Sequence, residues 1–264
     1  MAVAANRAAF DSGRLAAHQP DALDSALRPR AQVVQLHVPE TFERAVARRI
    51  ADLTAYQDAA YAREYQDVVE AIAARERELA PEAKTPRLAM AVARGLFKLM
   101  AYKDEYEVAR LYTGEAFQAQ LKGQFEGDYS LRFHMAPPIF ARKDPRTGVP
   151  RKMTLGPRTM TALKLLTRLK GLRGTWFDPF GRTAERKMER ALIGEYRQTI
   201  DQLLVGLTRD KLAQAATIAG LAETIRGYGH VKASNVEKYR TELGRLMQSY
   251  TAPAPRDMPL RKTA

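Results

Sequence analysis

Residues 41–79 contain neither glycine nor proline, and apolar side chains recur through them at three-to-four spacing: Phe42, Val46, Ile50, Leu53, Tyr61, Tyr65, Val68 and Ile72. That period predicts one continuous helix with an apolar stripe, and so a core made by helix packing. Pro81 ends the run. Thr85-Pro86 then opens a second long helix, with threonine at the N-cap and proline in the first turn. Leu88, Val92, Leu96, Leu99, Met100, Tyr106 and Leu111 form its stripe, and Gly114 closes it. The short connection predicts that the two helices pack antiparallel.

Shorter helices are expected over 2–17, 115–124, 159–170, 183–206, 209–219 and 235–249, the last opened by a Ser234-x-x-Glu237 capping box. Residues 19–40 read as a proline-punctuated linker with a short strand at Val33–Leu36. Residues 127–158 read as irregular, with one hairpin around Lys143–Arg151. Gly171–Gly181 reads as a second ordered loop, and the basic, Pro-rich tail from Thr251 as disordered. The fold class is therefore mainly α: a long antiparallel helix pair plus further helices, two Gly/Pro-rich loops and at most a small β element. The apolar stripes of 2–17 and 41–79 are candidates for exposure without a partner domain.

The 264 residues include no cysteine and only four histidines, His18, His37, His134 and His230, no two within one helical turn. This excludes disulfides, thiolate-held iron–sulfur clusters, a cysteine nucleophile and Cys-type zinc sites, and argues against a local histidine metal site. Net charge is +13, and it is localised. Residues 141–190 hold 14 basic and four acidic side chains, and residues 251–264 hold three basic and one acidic. The surplus is either a solvated basic face or a surface for an anion or an acidic partner. Nucleic acid is disfavoured, because the basic stretch holds only Trp176, Phe177 and Phe180 as aromatics, all in one loop. The alanine-rich start carries Arg7 and Asp11 instead of a continuous apolar run, with a transit peptide as the alternative. No window approaches the ~18 uncharged apolar residues of a membrane span. A soluble, cytoplasmic protein is expected.

Four constellations carry chemical potential. In Leu131–Pro138 an alternating strand would put Arg132 and His134 on one face, where two cationic groups suit a phosphate or carboxylate; the alternative is a buried His134 that pins the loop. In Arg226-Gly227-Tyr228-Gly229-His230-Val231-Lys232, alternating glycines let backbone amides approach a ligand while Arg226, His230 and Lys232 supply charge. The alternative is a glycine-permitted turn. In Phe177–Thr183 either Asp178 or Thr183 caps a helix and two phenylalanines plug the core, while Arg182 opposes the helix dipole unless an anion sits nearby. In Tyr102–Glu107 three carboxylates fall late in a helix. Asp104 and Glu107 share a face, as an acid/base pair or a salt-bridged surface. No P-loop, GxGxxG, GxSxG or HExxH pattern occurs.

YKDEYEVARLY (102–112), QFEGDYSLRFHMAPP (124–138), the DP-x-TG-x-PRK run (144–152), TWFDPFGRTAERKMERALI (175–193) and IRGYGHVK (225–232) together resemble the C-terminal region of the long, single-chain indolepyruvate ferredoxin oxidoreductases. VAANRAAFDSGRLAAH (3–18) resembles the last helix of the preceding gamma-type 2-oxoacid:acceptor oxidoreductase domain. The resemblance implies a thiamin-diphosphate enzyme. Such an enzyme oxidatively decarboxylates aryl 2-oxo acids to acyl-CoA and passes electrons through iron–sulfur clusters to ferredoxin.

This chain departs from that pattern. It has no cluster cysteines, and its Gly127-Asp128 continues with Tyr129 where the family's magnesium motif has a second glycine. It is also too short for two thiamin-binding domains. What the resemblance implies is therefore an accessory C-terminal portion with no catalytic residue of its own. Thiamin diphosphate, Mg and iron–sulfur clusters belong to the rest of the enzyme. Residues 1–36 would be the tail of the gamma-type domain and a linker, 37–250 a helical C-terminal domain, and 251–264 a basic tail. Its partners would be the catalytic domains or subunit, with ferredoxin or CoA facing the 141–190 surface. Arg132, His134, Arg182, Arg226, His230 and Lys232 are the candidates for anion, CoA or partner binding. Two alternatives stand beside this reading: a free-standing basic helical module binding an anion, nucleic acid or an acidic protein, and the remnant of a truncated gene.

Overall fold

A computed structural model describes residues 2–19, 21, 40–127, 129–135 and 151–252. Two units divide at Pro39/Glu40. The expected strand at 33–36, the hairpin turn at 143–150 and the tail beyond 252 lie outside the described residues. The first unit contributes α1 (Ala2–His18), whose Val3 and Phe10 are exposed.

In the second unit the described residues form α2 (Phe42–Tyr56), α3 (Ala59–Leu79), α4 (Arg87–Met100), α5 (Glu105–Thr113), α6 (Glu115–Gln124), α7 (Thr159–Arg168), α8 (Ala184–Val205), α9 (Leu212–Gly220) and α10 (Gly229–Thr251). Two short 3-10 turns cover Lys170–Leu172 and Leu221–Thr224. The only described strands, β1 (Phe133–Met135) and β2 (Met153–Leu155), pair antiparallel with Phe133 opposite Leu155. The class is mainly α, as the periodicity implies.

Both long helices predicted from the sequence are broken, and the breaks shape the molecule. The first breaks at Gln57-Asp58, where the Asp58 carboxylate accepts from Tyr61 N at 2.8 Å and starts α3 as its N-cap. Ending α2 there leaves its last carbonyls without helical partners. Distant cations supply them: Lys170 Nζ donates to Thr54 O and Ala55 O at 3.3 and 2.8 Å, and Arg173 Nη1 to Tyr56 O at 2.6 Å. The second breaks between Met100 and Glu105. Asp104 N-caps α5 by accepting from Glu107 N at 2.8 Å. The three carboxylates of Tyr102–Glu107 therefore open a helix, where the macrodipole favours them, and do not lie late in one.

The antiparallel pairing of α3 with α4 is written in four bonds. Tyr61 Oη donates to Met100 O and Tyr65 Oη to Ala93 O, both at 3.0 Å, while at the other end Glu76 accepts from Leu88 N and Ala89 N at 3.0 and 2.8 Å. Thr85 makes no cap; Pro86 stands at the N-cap with no side-chain bond, and buried Glu76 takes over two orphan amides of α4. Replacing Glu76 by alanine is expected to cost about 1–2 kcal/mol in urea unfolding, with Glu76→Gln falling between it and the parent. An unchanged midpoint in Glu76→Ala would mean that packing alone sets the start of α4.

Helix α4 is the hub. Leu88, Ala89, Val92, Ala93, Leu96, Leu99 and Met100 are all buried, more than one face can account for, because α2, α3, α8 and α9 pack around it. Small residues permit the closest approach: Gly95 lies against Tyr196 of α8 and the Ala219 carbonyl of α9. The apolar residues of 41–79 are spent inside this core: Leu53, Tyr56, Tyr65, Val69 and Ile72 are buried. A smaller cluster of Ala109, Phe133 and Leu163 joins α5, α7 and the sheet.

Candidate functional site

The chain's connection from the 221–224 turn into α10 is held open by geometry that only glycine tolerates. Gly227 has φ +94°, and a Cβ there would lie 2.8 Å from Val231 Cγ1. Three contacts pin this connection: buried Ile225, Asn235 Nδ2 donating to Arg226 O at 2.9 Å, and Gly229 N donating to Glu185 Oε1 at 3.0 Å. The last bond makes Glu185 the partner of the α10 N-terminus. The helix starts at Gly229, and Ser234 and Glu237 lie inside it rather than forming a capping box.

Beside this connection opens a cleft of about 260 Å³. Three separate parts of the chain bring cations to it: Lys98 from the last turn of α4, Lys103 from the turn that follows, and Arg226 and Lys232 from the glycine segment and the start of α10. Tyr102, Leu192, Ile225 and Tyr228 supply its apolar walls, and Glu189 is the one carboxylate in the lining among the described residues. Glu189 is buried and already committed, to Arg186 and to Lys232. Lys98 donates to the Glu223 carbonyl. Its ammonium is held below the ordinary lysine range first by burial and then by the charges of Arg226 and Lys232. An anion in the cleft would relieve the second cause. Lys232 is the partner of Glu189, which leaves Lys98, Lys103 and Arg226 without an ion-pair partner among the described residues; three such cations suit a phosphate or carboxylate ligand, recognised by charge-assisted hydrogen bonds.

Of the residues singled out in the sequence, Arg226 and Lys232 share this cleft, whereas His230 is exposed on the first turn of α10 and does not line it. Arg132 and His134 lie elsewhere. Both are exposed, Arg132 just before β1 and His134 within it, with Phe133 buried between them. His134 is not the buried loop pin; its Nδ1 lies 3.1 Å from Thr154 Oγ1 on β2. Arg182 lines a different cleft, beside Trp176. Lys98 and Lys103 escaped the sequence reading because nothing local distinguishes them from other helix-end lysines.

Asp104 and Glu107 form no acid/base pair. Asp104 is bound bidentately by Arg173 at 2.6 and 3.0 Å, and Glu107 by Arg110 at 2.7 Å through both oxygens. Asp178 does not cap α8; Thr183 does, accepting from Arg186 N at 3.3 Å. Of the two phenylalanines, Phe180 packs edge-on against Tyr106 at 5.3 Å while Phe177 is exposed.

Iron–sulfur clusters, which the resemblance implies for the enzyme as a whole, need thiolate donors. The chain has no cysteine for a cluster. No group of three or more His, Asp or Glu side chains placed to hold a metal gathers among the described residues. No helix among them is long and apolar enough to cross a membrane. A profile described as a family of unknown function, DUF6537, matches residues 42–245. No curated protein and no solved structure matches the chain.

Proposed function

The chain belongs to the DUF6537 family, and we propose that it is a non-catalytic, anion-binding accessory module, the C-terminal portion of an indolepyruvate ferredoxin oxidoreductase-like system. The observation that carries the anion-binding role is the convergence of Lys98, Lys103 and Arg226 on one cleft, beside a Lys232 whose charge Glu189 already pairs. The wider assignment is supported by the ordered motif resemblance, in which IRGYGHVK is the segment that builds one wall of the cleft. In this reading the anion is a phosphate of CoA, and thiamin diphosphate, magnesium and clusters sit in the cytoplasmic catalytic partner. The module's own residues bind and orient the anion; they transfer no proton or electron.

Calorimetric titration of the full chain with pyrophosphate and with CoA tests the cleft. Arg226→Ala or Lys98→Met is expected to weaken binding about tenfold or more, the loss of one hydrogen bond to a charged group. The pH dependence has a definite sign. Lys98 is depressed when free and raised by the bound anion, so affinity is full below its free value and falls as pH rises through it. Lys98→Met lacks that fall. No binding of either ligand to the parent chain overturns the anion-binding role. Mixing the chain with a matching large subunit tests the accessory role through indolepyruvate-dependent acceptor reduction, and no association with no rate change overturns it. Binding to pyrophosphate without any effect on the large subunit would favour the free-standing module.

A further inference from the structure

Trp176 and Phe177 are 80% and 75% exposed, side by side on the 173–183 loop. Two adjacent large aromatics left in water call for an explanation, since they cost free energy unless a partner covers them. The loop beneath them is rigid. Buried Asp178 accepts from Gly174 N at 2.8 Å, Phe180 N at 3.0 Å and Tyr106 Oη at 3.2 Å, and Gly174 turns the chain at φ +74°. The aromatic pair is therefore presented on a preorganised support.

The ground beside it is cationic. A second cleft of about 330 Å³ is lined by Trp176, Arg182, Lys187 and Arg190, with Asp178 as its only acidic group among the described residues. Asp178 has spent its oxygens on the loop, and none of the three cations has an ion-pair partner among the described residues. Arg190 donates to the Gly181 carbonyl, and Arg182 to the Trp176 carbonyl at 3.1 Å.

We infer that this loop is the docking knob for an acidic protein segment. An apolar side chain of the segment lies against Trp176 and Phe177 while its carboxylates meet Arg182, Lys187 and Arg190. Charge complementarity names the occupant: the surface belongs to the stretch with 14 basic and four acidic residues. Tryptophan flanked by arginine is also the composition of interface hot spots. Nucleic acid fits less well. The Arg182 guanidinium lies 5.1 Å from the centre of the Trp176 ring and competes for that ring, and two neighbouring rings do not make a platform for successive bases. The inference gives chemistry to the partner that the accessory reading calls for, and rests on that reading only in requiring a partner.

Trp176 is the chain's single tryptophan, so its emission reports on this surface alone. A random peptide library selected on the full chain, then counter-selected on Trp176→Ser/Phe177→Ser, is expected to yield sequences rich in Asp and Glu around one large apolar residue. Synthetic copies should shift Trp176 emission to the blue, and Arg182→Glu/Lys187→Glu should weaken them at least tenfold. These side chains are exposed, so each variant is expected to keep the parent's thermal midpoint. Arg226→Ala should bind the peptides like the parent, which separates failure here from failure of the anion cleft. Selected peptides without acidic enrichment, peptides that bind the Trp176→Ser/Phe177→Ser variant equally, or no enrichment at all would each overturn the inference. So would a blue shift caused by a single-stranded oligonucleotide when the peptides cause none.

Discussion

Arg173→Met is expected to destabilise the chain by about 3–5 kcal/mol, measured by urea unfolding, the cost of removing one member of a buried ion pair. The arginine commits four of its five N–H donors: two to Asp104 at 2.6 and 3.0 Å, one to Tyr56 O at 2.6 Å and one to Gln57 Oε1 at 2.8 Å. Its guanidinium lies 3.6 Å from the centre of the Tyr56 ring. Burial pulls its pKa down, but Asp104 and the surrounding groups outweigh that and hold it above the ordinary value, so it stays charged. Without it, the Asp104 carboxylate and the Tyr56 carbonyl are stranded in the interior, and the C-terminus of α2 parts from the N-terminus of α5. Arg173→Lys should recover little, because an ammonium cannot reproduce the planar fork. Adding Asp104→Asn to Arg173→Met should cost much less than the sum of the single changes, since it removes the orphaned charge while an amide oxygen can still cap α5. Additive costs would show that the pair is not the unit that matters.

Gly95→Ala is expected to destabilise by about 2 kcal/mol, against the sign of helix propensity, which favours alanine by up to about 1 kcal/mol. The new methyl would lie 2.6 Å from Tyr196 Oη and 3.0 Å from the Ala219 carbonyl oxygen. Neither can yield easily. The hydroxyl is buried and donates to that same carbonyl at 2.9 Å, and the carbonyl is backbone at the end of α9. Overpacking of this kind costs about 1–3 kcal/mol in a dense core. Tyr196→Phe alone should cost about 1 kcal/mol for its lost hydrogen bond. In the Gly95→Ala background it should be neutral or stabilising, because it clears the space the methyl needs. A raised thermal midpoint in Gly95→Ala would mean that α4 and α9 can move apart, and that their contact is looser than the structure places it.

Legibility differed by element. Helix α6 has its predicted bounds, and α7, α8 and α9 differ by only a few residues, because each is a separate periodic run between turn signals. The breaks inside the two long runs were only half visible. Asp104-x-x-Glu107 matches a capping pattern and could have marked the start of α5; Asp58 offers a cap too, but no glycine or proline accompanies it. Neither residue breaks a helix unaided. The site was legible to the same extent. The glycine segment with Arg226 and Lys232 could be picked out locally, whereas Lys98 could not, since its place in the cleft depends on a neighbour 125 residues away, Glu223.

The amino-acid sequence by itself determined a helical core, through the three-to-four recurrence of its apolar residues, and ruled out thiol-based redox chemistry, through its lack of cysteine. Both are properties of the chain that hold in any arrangement of its helices. Only the tertiary structure decided where helices stop and which cations meet. A helix can end at Tyr56 because Lys170 and Arg173 arrive from more than a hundred residues away to take the carbonyls it leaves. A cleft is cationic because α4, the turn after it and the start of α10 each bring charge to the same place. Satisfying a buried carbonyl or assembling a field of charge depends on distance in space, and distance in space is set by packing.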